Sequence, residues 1–447
     1  MTINSRETFA SKAGFILAAT GSAVGLGNVW RFPYLVGVNG GAAFVFIYII
    51  CAIFIGITLM LAEFCIGRAT NKNSVGAFNI LSKNPIWRIV GWLGIISGGF
   101  LILSYYSIIA GWTIKYSILS LTNLMDEIKT DIGNTIFSNF LSNSTQIIFF
   151  QIISMIITTI VVAAGIRNGV EKACKIMMPG LFILLIILII RSLTLPNAFL
   201  GIDFFLSPDF SKITWHTFLT ALGQAFYSLS LGMGIAITYG SYIKKREHLP
   251  SCSLTIFGLD TFIAILAGFA IFPAVFAMNI EPSSGVGLTF ITLPTVFAHM
   301  PAGMWFSFAF FVLLAIAALT SMISLLEVTV SFLTDEFHIK RKLAAYGGSI
   351  LIIILGIPSA LSLKGNYKIY GMSFFDFIDN LTSCVLMPMT AIGISLFVGW
   401  VWNKEAIYEI TNHNTFSFKL ANLWIISLKF LVPIMVALIM INGWPFH

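Results

Sequence analysis

The stretch from Leu181 to Ile190 contains no polar side chain, and Ile350 to Ile357 is as apolar. Runs of this kind recur along the whole chain, and about 20 apolar residues suffice to span a bilayer. They do not alternate as barrel strands do, so they read as membrane helices. Only 10% of the residues carry charge and 58% are hydrophobic. A water-soluble fold, about a quarter charged, could not hide so much apolar surface. About eleven spans are expected, near 12–37, 41–69, 87–122, 146–164, 170–192, 214–242, 252–278, 303–337, 341–358, 374–402 and 422–443.

Lys and Arg crowd onto segments that would share a side with the N-terminus: Arg6, Lys12, Arg68, Lys72, Lys83, Arg88, Arg167, Lys172, Lys175, the runs Lys244–Arg246 and Lys340–Lys342, Lys404 and Lys419. The opposite loops hold Lys129, Arg191, Lys212, Lys364 and Lys368. The positive-inside rule then puts the N-terminus in the cytoplasm, and an odd number of spans puts the C-terminus outside. The net charge of +7 therefore reflects topology, and no nucleic-acid partner is expected. The polar segment Asn4 to Lys12 is not a cleavable signal. Short termini and compact loops suggest a bacterial inner membrane. The five cysteines have no CxxC spacing and read as apolar packers, and no histidine pair suits a metal. With no nucleophile–base or metal spacing in the helices, an enzyme is not expected.

Two spans are interrupted. The first contains GSAVGLGN, Gly21 to Asn28, and the sixth contains SLSLGMG, Ser228 to Gly234. Glycine weakens a helix by about 1 kcal/mol relative to alanine. Backbone freed at membrane depth survives only against protein, water or a ligand. One such segment could simply allow close helix packing. Two, five helices apart, are the pattern of a transporter whose central site lies between repeats.

The run GSAVGLGNVWRFPYLVGVNGGAAF, Gly21 to Phe44, resembles the first-helix signature of the neurotransmitter:sodium symporter family. GQAFYSLSLGMGIAITYGSY, Gly223 to Tyr242, resembles its sixth helix, ALTSMISLLE (Ala318 to Glu327) its eighth, and DFIDN (Asp376 to Asn380) its tenth. The resemblance covers essentially the whole chain. It implies an all-α membrane protein of the LeuT type, a bundle of two five-helix inverted repeats. The chain would be one transporter domain, with repeats near 12–192 and 214–402 and an extra helix near 422–443.

Ala317, Thr320, Ser321 and Ser324 form a polar stripe along the eighth span. Such hydroxyls often bond back to their own helix. The resemblance implies a sodium site made of Thr320, Ser321 and the carbonyls of Ala317, Gly21 and Val24. Oxygens without formal charge suit a monovalent hard cation. A second sodium would be held by the Ala23 carbonyl, Asn28, Ser228 and Asp260, together with the substrate carboxylate. Asp260 lies inside the seventh span, where a carboxylate costs at least about 2.5 kcal/mol and is a functional candidate by default. Family members that use chloride have Asn there and Ser four residues later. Asp260 and Ala264 stand here instead, so no chloride requirement is expected.

By the same resemblance the substrate is an amino acid. Backbone near Ala23, Gly25, Leu26 and Gly27, with the Tyr106 hydroxyl, would hold its carboxylate. Ile102, Tyr227, Ser228, Ser230, Met233, Ser324 and Leu325 would surround the rest. Most of these are apolar, which favours a hydrophobic or aromatic side chain. Arg31 and Asp379, with Tyr227 as an aromatic lid, resemble an outer gate. Arg6 and Asp335, near Phe9 and Tyr242, resemble an inner one. Gly169 and Pro179 would let the fifth helix unwind. Glu63 and Glu327 are expected to pair with backbone or water in the inner half. The expected activity is sodium-coupled amino-acid symport by alternating access. A proton-coupled carrier and a non-transporting sensor on the same fold remain alternatives, and oligomeric state is open.

Overall fold

The computed structural model describes residues 6–122, 128, 133–277, 287–365 and 368–444. Almost every described element is helical. Among the described residues, nine helices are long and apolar enough to cross a membrane: α2 (Ala42–Thr70), α3 (Ile86–Ser120), α4 (Ser144–Ala163), α5 (Ile166–Leu193), α7 (Leu249–Ala277), α8 (Gly303–Phe337), α9 (Arg341–Ser362), α10 (Phe374–Val401) and α11 (Ala421–Asn442). A tenth span is broken, with α1a (Lys12–Ala23) and α1b (Gly27–Val38) meeting at 52°. The remaining expected span is also broken, into α6a (Trp215–Ser228) and α6b (Ile235–Gly240). Each piece of α6 is too short to cross alone.

The breaks follow from the glycines. Ser11 caps α1a, its hydroxyl accepting from the Gly14 amide at 3.0 Å. The helix ends at Val24, whose ψ of 85° is not helical. A Cβ on Gly25 would lie 2.6 Å from Ser321 Oγ and 2.9 Å from Tyr106 Oη, so any larger residue there would displace both hydroxyls. In α6 the helix opens on a capping box between Thr214 and Thr217 and stops at Ser228. Ser230, Gly232 and Gly234 then take positive φ before the chain turns helical again at Ile235.

The broken spans lie at the centre. α8 packs along α3, α1a and α5, and α7 packs on α5 and α1a. α6a and α6b both lie against α2, while α11 leans on α10. The outer face of the bundle exposes Ile, Leu and Phe, as a lipid-facing surface must. Short helices Gly133–Ser142, Ala198–Leu206 and Leu288–Ala298 occupy the expected longer loops. Most of the first half of the expected 279–302 lid lies outside the described residues.

Candidate functional site

A central cavity forms where both broken spans face α3 and α8. It is lined by Ala23, Gly25, Gly27, Ile102, Tyr106, Tyr227, Ser228, Ser230, Met233 and Leu325, all expected from sequence, and also by Ser22, Ile235 and Ser321. Two expected lining residues stand elsewhere. Leu26 faces a wider space on the other side of Tyr227, and only its amide is at the site, donating to Tyr106 Oη at 3.2 Å. Ser324 is behind the wall, with its hydroxyl 2.7 Å from that of Ser22 and donating to the Ser321 carbonyl at 2.7 Å.

Beside the cavity, Asp260 is fully buried in α7. Its Oδ1 accepts from Asn28 Nδ2 at 2.8 Å, and its Oδ2 from Ser228 Oγ at 2.9 Å and from the Tyr48 hydroxyl at 3.4 Å. Asn28 Nδ2 also reaches the Asp260 carbonyl at 3.1 Å, and Asn28 Oδ1 accepts from the Gly25 amide at 3.4 Å. Among the described residues no Lys, Arg or His makes an ion pair with this carboxylate. A buried carboxylate ringed only by neutral donors suits a cation partner. Tyr48 and Gln224 were missed from sequence. Gln224 donates to the Gly27 carbonyl at 3.0 Å, holding the break in α1 from α6a. The signal for both was a polar group inside an apolar run.

Of the second expected cation set, Gly21, Ala317, Thr320 and Ser321 lie together. Thr320 Oγ1 and Ser321 Oγ both donate to the Ala317 carbonyl, at 3.0 and 3.3 Å. Ser321 Oγ also reaches the Ser22 carbonyl at 3.2 Å. A Cβ on Gly21 would lie 3.3 Å from Thr320 Cβ, so α1a and α8 meet at this point. Val24 ends the same half-helix.

The two ends of the bundle differ. At one, Arg6 Nη1 bonds both Asp335 oxygens at 2.7 and 2.5 Å, and the guanidinium sits 4.6 Å from the Tyr242 ring centre. Phe9 packs edge-on against Tyr239 and Tyr242. At the other end Arg31 lies 4.7 Å over the Tyr227 ring and is not within ion-pair distance of Asp379. The expected outer pair is therefore open. Cation–π stacking holds Arg31 on Tyr227, and a space of about 290 Å³, lined by both charges and by Trp30, Tyr34 and Trp112, separates the two. Tyr227 stands between this vestibule and the central cavity of about 30 Å³.

Glu63 meets backbone as expected, its Oε1 accepting from the Gly232 amide at 2.8 Å. Glu327 does not. It pairs with Arg341 through both oxygens and accepts from the Tyr242 hydroxyl at 2.7 Å, because the start of α9 returns a cation to α8. α5 is helical throughout, passing through a wider turn at Ile166–Glu171 and keeping Pro179 within it.

Broken helices around a small buried cavity, next to a carboxylate with neutral partners, define a membrane transporter of the LeuT fold. The model of the sodium:neurotransmitter symporter family matches residues 6–131 and 134–444. An uncharacterized sodium-dependent transporter of Haemophilus influenzae is 42% identical over 99% of this chain and 100% of its own length. Another, YhdH of Bacillus subtilis, is 37% identical over 97% of both chains. The crystal structure of MhsT in complex with L-phenylalanine superposes with a TM-score of 0.87 at 42% identity, covering 98% of this chain and 100% of that one. The chain belongs to the sodium:neurotransmitter symporter family, and it is a sodium-dependent transporter, not an enzyme.

Proposed function

We propose that this transporter imports a hydrophobic or aromatic amino acid with two sodium ions, without chloride, across a bacterial inner membrane. One observation carries the reading: the cavity walls Ile102, Tyr227, Met233, Ile235 and Leu325 are apolar, while its α1 end presents freed backbone, the Tyr106 hydroxyl and the Asp260 cluster. Such a site takes an α-amino acid with its carboxylate at the break and its side chain among the apolar groups. The neighbour solved with L-phenylalanine supports the substrate class.

In this reading Ala23, Asn28, Ser228 and Asp260 hold one sodium, and Gly21, Val24, Ala317, Thr320 and Ser321 the other. A sodium shared with the substrate carboxylate couples the two, since each lowers the other's cost of binding. The Asp260 charge stands in for chloride. With Arg6 and the N-terminus cytoplasmic, the structure corresponds to a state closed inside by Arg6–Asp335 and open outside as far as Tyr227. The whole chain acts as one transport domain of two repeats plus α11, and the Gly169–Pro179 segment of α5 unwinds when the inside opens.

The test is binding of the twenty amino acids to purified protein in sodium and in potassium. Binding that needs sodium and is lost in Asn28→Ala and Ser321→Ala supports the coupled sites and names the substrate. Equal binding in both salts overturns sodium coupling and favours a proton-coupled carrier. Sodium-dependent binding without accumulation in proteoliposomes favours a sensor.

A further inference from the structure

α5 starts beside the N-terminal segment, where Glu7 Oε2 accepts from the Ile166 amide at 2.6 Å, so its last turn delivers Arg191 and Ser192 to the opposite end of the bundle. There the two line a small cavity of about 20 Å³ between α5, α7, α8 and the short helix Leu288–Ala298. The rest of its wall is apolar, with Leu188, Ala270, Ala274, Leu293, Phe297 and Phe310 among the side chains.

Both polar residues have a donor to spare. Ser192 is 2% exposed, and its hydroxyl has no hydrogen-bond partner among the described residues. Arg191 Nε is buried and equally without one. Its Nη1 donates to Thr194 Oγ1 at 3.1 Å, and the guanidinium lies 5.5 Å from the Phe306 ring centre. Among the described residues no carboxylate is within ion-pair distance of Arg191. A ring at that distance balances little of the charge, and a partly buried cation without a counter-charge is costly.

The cavity has room for one small guest. Carbonyls that could take a proton from a water are already used. That of Arg191 accepts from the Thr194 amide at 3.2 Å, that of Ser192 from the Leu195 amide at 3.3 Å, and that of Phe297 from the Met300 amide at 3.2 Å. A water has two protons to place, and the side chains offer it one good acceptor, the Ser192 hydroxyl. A monatomic anion has none to place. It accepts from both free donors and neutralises Arg191.

We propose that this cavity is a halide site, in which Arg191 and Ser192 hold a chloride ion that ties the end of α5 to α7, α8 and the Leu288–Ala298 helix. It is not the place where Asp260 stands in for chloride, because Ala270 is ten residues further along α7, roughly 15 Å. The anion adds stability and takes no part in coupling sodium to substrate, so uptake well below the unfolding temperature does not depend on it.

The experiment measures the thermal midpoint of purified full-length transporter at fixed sodium while chloride replaces gluconate, and locates bromide by anomalous diffraction from crystals grown in sodium bromide. Chloride raises the wild-type midpoint saturably, by about 2 °C. Arg191→Gln removes the charge and abolishes the rise. Ser192→Ala removes one hydrogen bond to a charged group, raises the half-saturating chloride about tenfold, and serves if Arg191→Gln does not fold. Bromide density lies between Arg191 and Ser192. Equal wild-type midpoints in the two anions, or a rise that is unchanged in both variants, overturns the inference. A cavity without bromide density overturns it too, and leaves a site for water only.

Discussion

Asn28 and Asp260 meet at 2.8 Å, amide nitrogen to carboxylate oxygen, across the break in α1. The bond joins the freed backbone of the first span to a buried charge on the seventh. It leaves Asn28 Oδ1 on the Gly25 side, beside the cavity. The arrangement offers a cation one formal negative charge and several neutral oxygens at a place where water is excluded.

The charge at Asp260 is therefore expected to set both sodium affinity and anion independence. Asp260→Asn keeps an oxygen for Asn28 and Ser228 but removes the charge. Losing one charge-assisted interaction costs about 1.5–3 kcal/mol, or roughly 10–100-fold in the sodium needed for half-maximal uptake. Wild-type uptake in proteoliposomes should be equal in sodium chloride and sodium gluconate, whereas the variant should be slower in gluconate. Wild-type uptake that collapses in gluconate would show that the carboxylate does not replace an anion.

The closed end makes a different prediction. The Arg6 and Asp335 side chains are 16% and 13% exposed, so their pair is neither a fully screened surface contact nor a dry one. Asp335 also accepts from the Asn73 amide at 2.8 Å, and Arg6 donates to Ser241 Oγ at 2.7 Å. Arg6→Ala removes the first bond and leaves Asp335 to Asn73 alone. A loss of about 1–3 kcal/mol is expected, shifting the balance toward the inward-open form by about 5–150-fold. Reactivity of a cysteine placed at Ala236 toward a water-soluble thiol reagent, in right-side-out and inverted vesicles, reads this shift. More labelling from the cytoplasmic side is expected, and unchanged labelling would remove Arg6–Asp335 from the closure.

Much of this site was legible because its chemistry is local in sequence. The glycines of GSAVGLGN and SLSLGMG marked both breaks, and Asp260 announced itself as a charge inside an apolar span. What was not legible depends on partners brought from far along the chain. Nothing around Glu63 says that its acceptor role is to a turn near residue 232. Glu327 was expected against backbone or water, because the cation that meets it, Arg341, looks from sequence like one more interfacial charge. Ser324 and Ser321 look alike on the stripe, but one hydroxyl faces the cavity and the other meets Ser22 behind it. Arg31 and Asp379 stand apart, with the guanidinium over the Tyr227 ring, and nothing in the sequence marks that ring as its partner.

At the loop between α6b and α7, His248 caps the start of α7, its Nδ1 accepting from the Ser251 amide at 3.2 Å. Partial burial pushes its pKa below the usual histidine value, and the charges of Lys12 and Arg68 push the same way. The folded protein thus takes up this proton less readily than the unfolded chain. The contribution of the neutral cap is complete above the unfolded value, near 6.5, and is lost as pH falls from there through the lowered folded value. Asn in this position caps a helix without titrating. The thermal midpoint of His248→Asn should fall less than that of the wild type between pH 7.5 and 5.5. Parallel curves would mean that the ring nitrogen does not act as a cap.

Tyr106 offers the most direct check on how substrate is held. Its hydroxyl accepts from the Leu26 amide at 3.2 Å and lies 2.9 Å from where a Cβ on Gly25 would be, so it sits at the mouth of the α1 break. A substrate carboxylate at that break would meet both the hydroxyl and the freed amides. Tyr106→Phe removes one oxygen and keeps the ring that packs the wall. A hydrogen bond to a charged group is worth about 1.5–3 kcal/mol, so binding of an amino acid should weaken by roughly 10–100-fold. The matching amine, which lacks the carboxylate, should bind weakly to wild type and variant alike, since it has nothing for the hydroxyl to hold. Isothermal titration of L-phenylalanine and phenethylamine into both proteins in sodium chloride completes the cycle. If the variant weakens both ligands equally, Tyr106 acts by packing, and the carboxylate must be held by the backbone of Ala23 to Gly27 without it.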